Sequence, residues 1–272
     1  MSGGEQTTRA LSFGQVAEQY DAARPGYPDA LFDDLVAMLP GHRVAEIGAG
    51  TGKATGGLLA RGLDVTAVEP DPAMAEVLLR RYGGQDRLTV VVTPFEGWNP
   101  EGRFDGLVSA QAWHWTDPAG RYERAARALR PGGLLALFWN VDALGTEPLH
   151  RQLLAIYHAH GIEADRPFAT VEQQTADPLG TWPGDELSAH PLFDGVQHRR
   201  YRNERTYTGD ELVTFLDTTS HHRIMADEVR QEVGAQIRAI VAAAPGGHVT
   251  VTRSTGMYTA RRTATPTDAA DH

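Results

Sequence analysis

The chain has 272 residues, enough to bury a sizeable core in one large α/β unit or two small ones. Its 41% hydrophobic and 22% charged residues fit a soluble globular protein, and the lack of cysteine excludes disulfides, thiolate nucleophiles and thiolate-bound zinc. A formal net charge of −10 argues against attachment to nucleic acid or to an anionic membrane surface.

The opening stretch MSGGEQTTRA is polar and has no apolar core of a secretory signal, and no run approaches the roughly 18–20 apolar residues of a membrane span. A cytoplasmic protein is expected. From about residue 42, strand and helix signals alternate. RVAEIGA (43–49) reads as a strand, and KATGGLLARG (53–62) as a helix that Gly62 stops. DVTAVEP (64–70), rich in β-branched residues, reads as a second strand. In DPAMAEVLLRRY (71–82), Asp71 is the expected N-cap and Pro72 the first helical residue, with Met74, Val77, Leu78 and Arg81 on one face. RLTVVVT (87–93) and FDGLVSA (104–110) follow as strands. DPAGRYERAARALRPGG (117–133) reads as a helix that begins at Pro118 and ends at Pro-Gly-Gly, and LLALFW (134–139) as a fifth strand. Strands that are continuous apolar runs predict a parallel sheet covered on both faces, in a doubly wound α/β fold.

The rest is less regular. LHRQLLAIYHAHG (149–161), GDELVTFLDTTSHHR (209–223) and DEVRQEVGAQIRAIVAAA (227–244) read as helices. VQHRRYRNERTYT (196–208) and HVTVTRSTGMYTARR (248–262) have strand character and can pair as a hairpin that completes one edge of the sheet. TATPTDAADH, small and polar, is expected to be a disordered tail.

Gly48, Gly50 and Gly52 leave the first strand at alternate positions. Glycine accepts positive φ and has no Cβ to keep a ligand from the backbone, and a following helix aims its first N–H groups into the crevice. A dinucleotide fingerprint needs G-x-G-x-x-G with an acid about 20 residues on. Here the third glycine comes one position early, Glu46 precedes the loop, and Glu69 ends the second strand. An acid at that strand end can accept both hydroxyls of a ribose.

These residues carry a resemblance. Glu46 to Gly52, followed by Val68-Glu69-Pro70, resembles motif I and the post-I acid of the class I S-adenosylmethionine-dependent methyltransferases. FGQVAEQYDAARPGYP (13–28), SAQAWHWTDP (109–118) and RALRPGGLLALFW (127–139) resemble stretches of the small-molecule group that includes trans-aconitate and ubiquinone-type methyltransferases. The resemblance covers residues 13–140 well and 196–262 loosely. It implies a Rossmann-like, mostly parallel sheet of about seven strands with an antiparallel edge hairpin and a helical insertion. The division expected from it is an N-terminal helical segment closing over the cofactor (1–40), a cofactor-binding core (41–140), a helical substrate-side insertion (141–195), strands and helices completing the sheet (196–262) and a tail (263–272).

The same resemblance implies S-adenosylmethionine as cofactor, S-adenosylhomocysteine as product, and no metal. Gly48, Gly50 and Gly52 would pass its amino-acid end and Glu46 would receive the ammonium. Glu69 would bind the ribose hydroxyls, Pro70 and Met74 would flank the adenine, and Phe95 and Glu96 would match the adenine-end acidic motif. Tyr20 and Arg24 sit in the closing segment, Arg24 facing the methionine carboxylate. Ala110 would meet the methionine amino group through its backbone; many relatives have Asn there.

A hydroxyl nucleophile needs a general base, whereas a carboxylate does not. His114, between Trp113 and Trp115, is the first candidate base and Tyr20 the second. Trp113, His114, Tyr157, His158, Phe168 and Tyr201 are the candidate acceptor-binding residues, a lining whose aromatic faces also suit a cation formed during alkene methylation. His158 and His160 point apart on a helix, and His221 and His222 are adjacent, so neither pair reads as a metal site. The expected function is methyl transfer to oxygen or carbon of a small molecule, such as a secondary metabolite, without nucleic acid or membrane as partner and with a homo-oligomer left open. A nicotinamide-dependent oxidoreductase, disfavoured by the glycine spacing and Glu46, and a non-catalytic S-adenosylmethionine-binding protein are the alternatives.

Overall fold

The computed structural model of the chain describes residues 26–144, 147–162, 181–219, 222 and 224–264. Seven strands form one sheet in the order β3-β2-β1-β4-β5-β7-β6. They are β1 (Arg43–Ile47), β2 (Asp64–Glu69), β3 (Leu88–Val92), β4 (Phe104–Ala110), β5 (Leu129–Leu144), β6 (Phe193–Tyr207) and β7 (Val249–Arg262). The pairings from β3 through β5 are parallel, and β7 runs antiparallel to both β5 and β6. The hairpin-like edge expected from the two C-terminal strand patterns is therefore present.

Burial follows strand position. β1 and β4 are covered on both faces and are buried along nearly their whole length, as their unbroken apolar runs require. Edge strand β3 is only partly covered. On one face, α1 (Asp29–Met38) and α2 (Thr55–Leu59) cover Val44, Val108, Ala136 and Phe138. On the other, α4 (Arg121–Ala128) and the 3-10 turn Trp113–Trp115 cover Ala45, Leu107, Leu135 and Leu137. α3 (Pro72–Tyr82) begins as its sequence dictates, with Asp71 accepting from the Ala73 N–H at 2.9 Å and Pro72 in the first turn.

A separate apolar cluster joins α5 (Glu147–Ala159), α7 (Gly209–Leu216) and α8 (Asp227–Ala243) to the upper part of β7. α7 opens with a capping box between Thr208 and Glu211. The short α6 (Gly184–Ala189) lies against β6.

Two expected boundaries are corrected. The helix expected over 117–133 covers only Arg121–Ala128, because Gly120 (φ 79°) sets its start and leaves Pro118 in the preceding loop. Leu129 already pairs with Phe104, and a register shift takes up Arg130-Pro131-Gly132-Gly133 before Leu134 pairs with Gly106. Proline lacks the N–H that continued helix needs, so the chain enters the sheet through an irregularity instead. The helix expected over 53–62 is one short piece, Thr55–Leu59, weakened by Gly56 and Gly57, which lie close against Tyr82 and Phe32. Among the described residues, no helix is long and apolar enough to cross a membrane.

Candidate active site

The glycine loop turns directly off β1. The N–H groups of Gly48 and Ala49 both reach the Val68 carbonyl, at 2.8 and 3.2 Å, which ties the loop to the end of β2. Gly48, Gly50 and Gly52 all have positive φ, at 70°, 57° and 87°. Their roles differ. A Cβ on Gly48 would collide with the Ala112 methyl, and one on Gly52 would press on the Tyr82 ring. A Cβ on Gly50 would enter open space. Two glycines thus permit close packing of protein against protein, and Gly50 alone keeps clear the space that a ligand can fill.

Two buried carboxylates flank the loop. Glu46 is 1% exposed, accepts a 2.5 Å hydrogen bond from Thr55 Oγ1, and is pushed up to about 8 by burial, with the nearby Glu69 adding to the shift. Glu69 accepts from the Gly50 N–H at 2.7 Å and the Asp71 N–H at 2.9 Å, yet burial still raises it to about 7. A pair of acids held out of water is an arrangement that a cationic ligand relieves.

A cavity opens where the parallel strands end, as the doubly wound topology dictates. Its floor is Glu46, Gly48, Ala49, Gly50, Thr51, Lys53 and Ala54, followed by Ala110 and Gln111 at the end of β4. It continues to Asn140 and Asp142 on β5 and Arg253 on β7, with Tyr27 and Phe215 also in its wall. Gln111 has φ 57°, in the left-handed region where a non-glycine residue is strained. Its N–H bonds the Phe138 carbonyl at 2.9 Å and its Nε2 donates to the Asn140 carbonyl at 3.2 Å, so β5 holds it in place.

Residues 45–137 match the family model of a methyltransferase domain. An uncharacterized methyltransferase of Mycobacterium tuberculosis is 37% identical over 222 residues, which cover 77% of this chain and 87% of that one. The chain belongs to the class I S-adenosylmethionine-dependent methyltransferases. A solved structure from Anaeromyxobacter dehalogenans, described as a type II methyltransferase, superposes with a TM-score of 0.60 at 25% identity, covering 89% of this chain and 99% of that one. The phosphoethanolamine N-methyltransferase 2 of Haemonchus contortus, solved with phosphomonomethylethanolamine and S-adenosylhomocysteine, shares the fold at a TM-score of 0.53 and 16% identity, covering 97% of this chain and 61% of that one.

In this methyltransferase Glu46, Gly48, Gly50 and Ala110 line one cavity, and Glu69 is bonded to its loop. Pro70, Met74, Phe95 and Glu96 lie beyond the ends of β2 and β3. Of these, Met74 and Phe95 are buried, and Glu96 is exposed and accepts from the Asp117 N–H at 2.8 Å. Tyr20, Arg24 and Phe168 fall outside the described residues.

Among the described residues, the expected acceptor residues do not line one common space. Trp113 is fully buried between Phe95 and Tyr122, with ring centroids 5.7 and 5.5 Å away. Tyr157 is equally buried in the helical cluster, its hydroxyl 2.6 Å from His222 Nε2, while its neighbour His158 is exposed. Tyr201 donates to Asp34 at 2.7 Å and so joins β6 to α1. His114 keeps an exposed edge, but its ring rests on Trp115 with centroids 4.6 Å apart, and its Nδ1 accepts from Trp139 Nε1 at 3.3 Å. Burial of that part of the ring, with Arg121 nearby, lowers its pKa to about 4.

Gln111, Asn140, Asp142, Phe215 and Arg253 form the far half of the cavity without having been singled out by the sequence. Two signals were present. Asn140 and Asp142 alternate at the end of an otherwise apolar strand, and Arg253 is one charge in the series Val249, Val251, Thr255, Met257 on a single strand face. Among the described residues, no group of three or more His, Asp or Glu side chains is arranged to hold a metal ion.

Proposed function

We propose that this methyltransferase acts on a small-molecule acceptor, at an oxygen or carbon that needs no proton removed beforehand. The observation that carries this reading is the hydrogen bond from Trp139 to His114. Indole nitrogen is only a donor, so His114 Nδ1 must accept and the neutral ring carries its proton on Nε2. The remaining nitrogen is then a donor, and a ring held near 4 is a weak base at neutral pH. In the acceptor half of the cavity, Asp142 is engaged by Arg253 at 2.7 and 2.8 Å. An ionised oxygen or an alkene carbon suits such a site.

When bound, S-adenosylmethionine supplies an electrophilic methyl group on a sulfonium, open to in-line displacement. Glu46 receives the ammonium of its amino-acid end and Glu69 the ribose hydroxyls, with Gly50 leaving room between them. Pro70, Met74, Phe95 and Glu96 lie on the adenine side, and the Ala110 backbone borders the amino-acid end. Tyr27 and Phe215 limit the acceptor's size and keep water from the reacting atoms. A protein of like fold was solved in complex with S-adenosylhomocysteine and phosphomonomethylethanolamine, which supports a ligand pair of this size.

The test is methyl transfer from labelled S-adenosylmethionine across a panel of carboxylates, phenols, amines and alkenes, repeated with His114→Ala. The expected result is turnover of a carboxylate or alkene, with kcat in the variant within about threefold of wild type. A kcat that follows ionisation of an imidazole and is lost in the variant would restore His114 as the base.

A further inference from the structure

β5 outruns its parallel neighbour. β4 ends at Ala110, which pairs with Phe138, but β5 continues to Leu144 with β7 still paired beside it. Asn140 and Asp142 lie on the same strand face as Phe138, two and four residues on. At a rise of about 3.3 Å per residue, Asp142 stands roughly 13 Å past the level where β4 stops. On β7, Thr255 is opposite Asn140 and Arg253 opposite Asp142. Thr255 Oγ1 donates to Asn140 Oδ1 at 2.6 Å.

Arg253 meets Asp142 with a hydrogen bond from Nη2 to Oδ2 at 2.8 Å and an ion-pair contact of Nε with Oδ1 at 2.7 Å that is not aligned as a hydrogen bond. The two side chains are 11% and 12% exposed. The Phe215 ring lies 5.5 Å from the guanidinium carbon and limits its tilt. A guanidinium has five N–H groups, and this grip uses one edge of it. The other edge, formed by Nη1 and the second hydrogen of Nη2, makes no hydrogen bond among the described residues. It belongs to a residue in the cavity wall.

A largely buried ion pair is a costly way to hold two strands together, since apolar side chains of similar volume do so as well or better. The neighbouring positions on this face of β7, Val249, Val251 and Met257, follow the apolar solution. A pair kept at the end of a cavity, with a fork that is unbonded among the described residues, is an arrangement that suits recognition. The sign comes from the residue at the far end: Arg253 is a cation in the cavity wall, across the cavity from the loop that Glu46 and Glu69 flank.

We infer that Arg253, held in plane by Asp142 and Phe215, anchors a carboxylate on the methyl acceptor through its free fork. The inference rests on the methyl-transfer reading and adds the chemical class of the acceptor. The anchored group is not the methylated one, because both of its oxygens are engaged by the fork. Anchored at the far end, the acceptor extends along the cavity with its nucleophilic atom toward the cofactor.

Binding tests this without knowledge of the natural acceptor. The protein saturated with S-adenosylhomocysteine is titrated, with NMR detection, with aliphatic and aromatic monocarboxylates and with their carboxamides. Carboxylates are expected to bind at least tenfold more tightly than their amides, and Arg253→Met to abolish the difference while leaving S-adenosylhomocysteine affinity within threefold. Arg253→Lys, which keeps the charge but not the fork, is expected to fall between the two and serves if the methionine variant does not fold. Equal binding of acids and amides, or a preference that survives in Arg253→Met, overturns the inference. So does a tenfold loss of S-adenosylhomocysteine affinity in a folded Arg253 variant, which would assign the residue to the cofactor. Failure of wild type to bind S-adenosylhomocysteine is a different result and counts against the methyl-transfer reading itself.

Discussion

Glu69 at the end of β2 accepts a 2.7 Å hydrogen bond from the backbone N–H of Gly50 in the loop that leaves β1. Its other oxygen takes the Asp71 N–H at 2.9 Å, so one carboxylate joins the loop, the second strand and the start of α3. Replacing Glu69 with Ala removes a charged acceptor from the proposed ribose site. S-adenosylhomocysteine affinity is expected to weaken by about 1.5–3 kcal/mol, the range for a hydrogen bond to a charged group. Calorimetric titration checks this, and an unchanged Kd would show that the ribose lies elsewhere.

Glu46 and Glu69 also make the site sensitive to pH. Both fold into surroundings that raise them from 4.5, to about 8 and about 7. Between those limits the folded protein holds protons that the unfolded chain has released, so stability declines as pH rises through the window and levels off above it. The unliganded Tm is expected to fall between pH 5.5 and 8.5, and to fall less in Glu46→Gln. A cation placed against Glu46 favours its ionised form, so cofactor binding at pH 7 should release close to one proton. Calorimetry in two buffers of different ionisation heat measures that release, and none would mean that Glu46 does not meet the cation.

The loop half of the cavity was readable because it is built from one continuous stretch. Gly48 to Gly52, Glu46 and Glu69 are set by two strand ends that the apolar runs already located. The far half of the cavity is assembled from four distant segments: Gln111 after β4, Asn140 and Asp142 on β5, Phe215 on α7, and Arg253 on β7. No local spacing relates them, and only the antiparallel register of β5 and β7 sets Asp142 against Arg253. The aromatic residues chosen for that half are large and apolar. Trp113 and Tyr157 were therefore drawn into the core, where burial of their surface stabilises most.

Tyr157 is a member of such a core contact. Its hydroxyl lies 2.6 Å from His222 Nε2, and His222 Nδ1 lies 3.0 Å from Asp217 Oδ1. With the ring proton on the Asp217 side, Nε2 accepts from the tyrosine. Tyr157→Phe leaves that nitrogen buried and unpartnered, at an expected cost of about 1–3 kcal/mol. Urea unfolding should show a lower midpoint with an unchanged m value, and S-adenosylhomocysteine affinity should stay within twofold. Unaltered stability together with a raised acceptor KM would instead place Tyr157 in the acceptor site.

Gly48 and Gly50 separate what the loop needs to fold from what it needs to bind. Both have positive φ, so alanine at either position carries left-handed strain of roughly 1–2 kcal/mol. At Gly48 the added methyl also meets Ala112, and the loop must shift; at Gly50 it meets nothing within 4 Å. Gly48→Ala is therefore expected to lower Tm more than Gly50→Ala. The order reverses for the ligand: Gly50→Ala should keep a cooperative unfolding transition yet lose S-adenosylhomocysteine affinity by 100-fold or more, because its methyl occupies the proposed cofactor space. Thermal melts and calorimetry on the two variants decide it. Equal losses of Tm would show that the loop absorbs the clash with Ala112 without cost, and intact binding in Gly50→Ala would show that the open side of Gly50 is not where the cofactor lies.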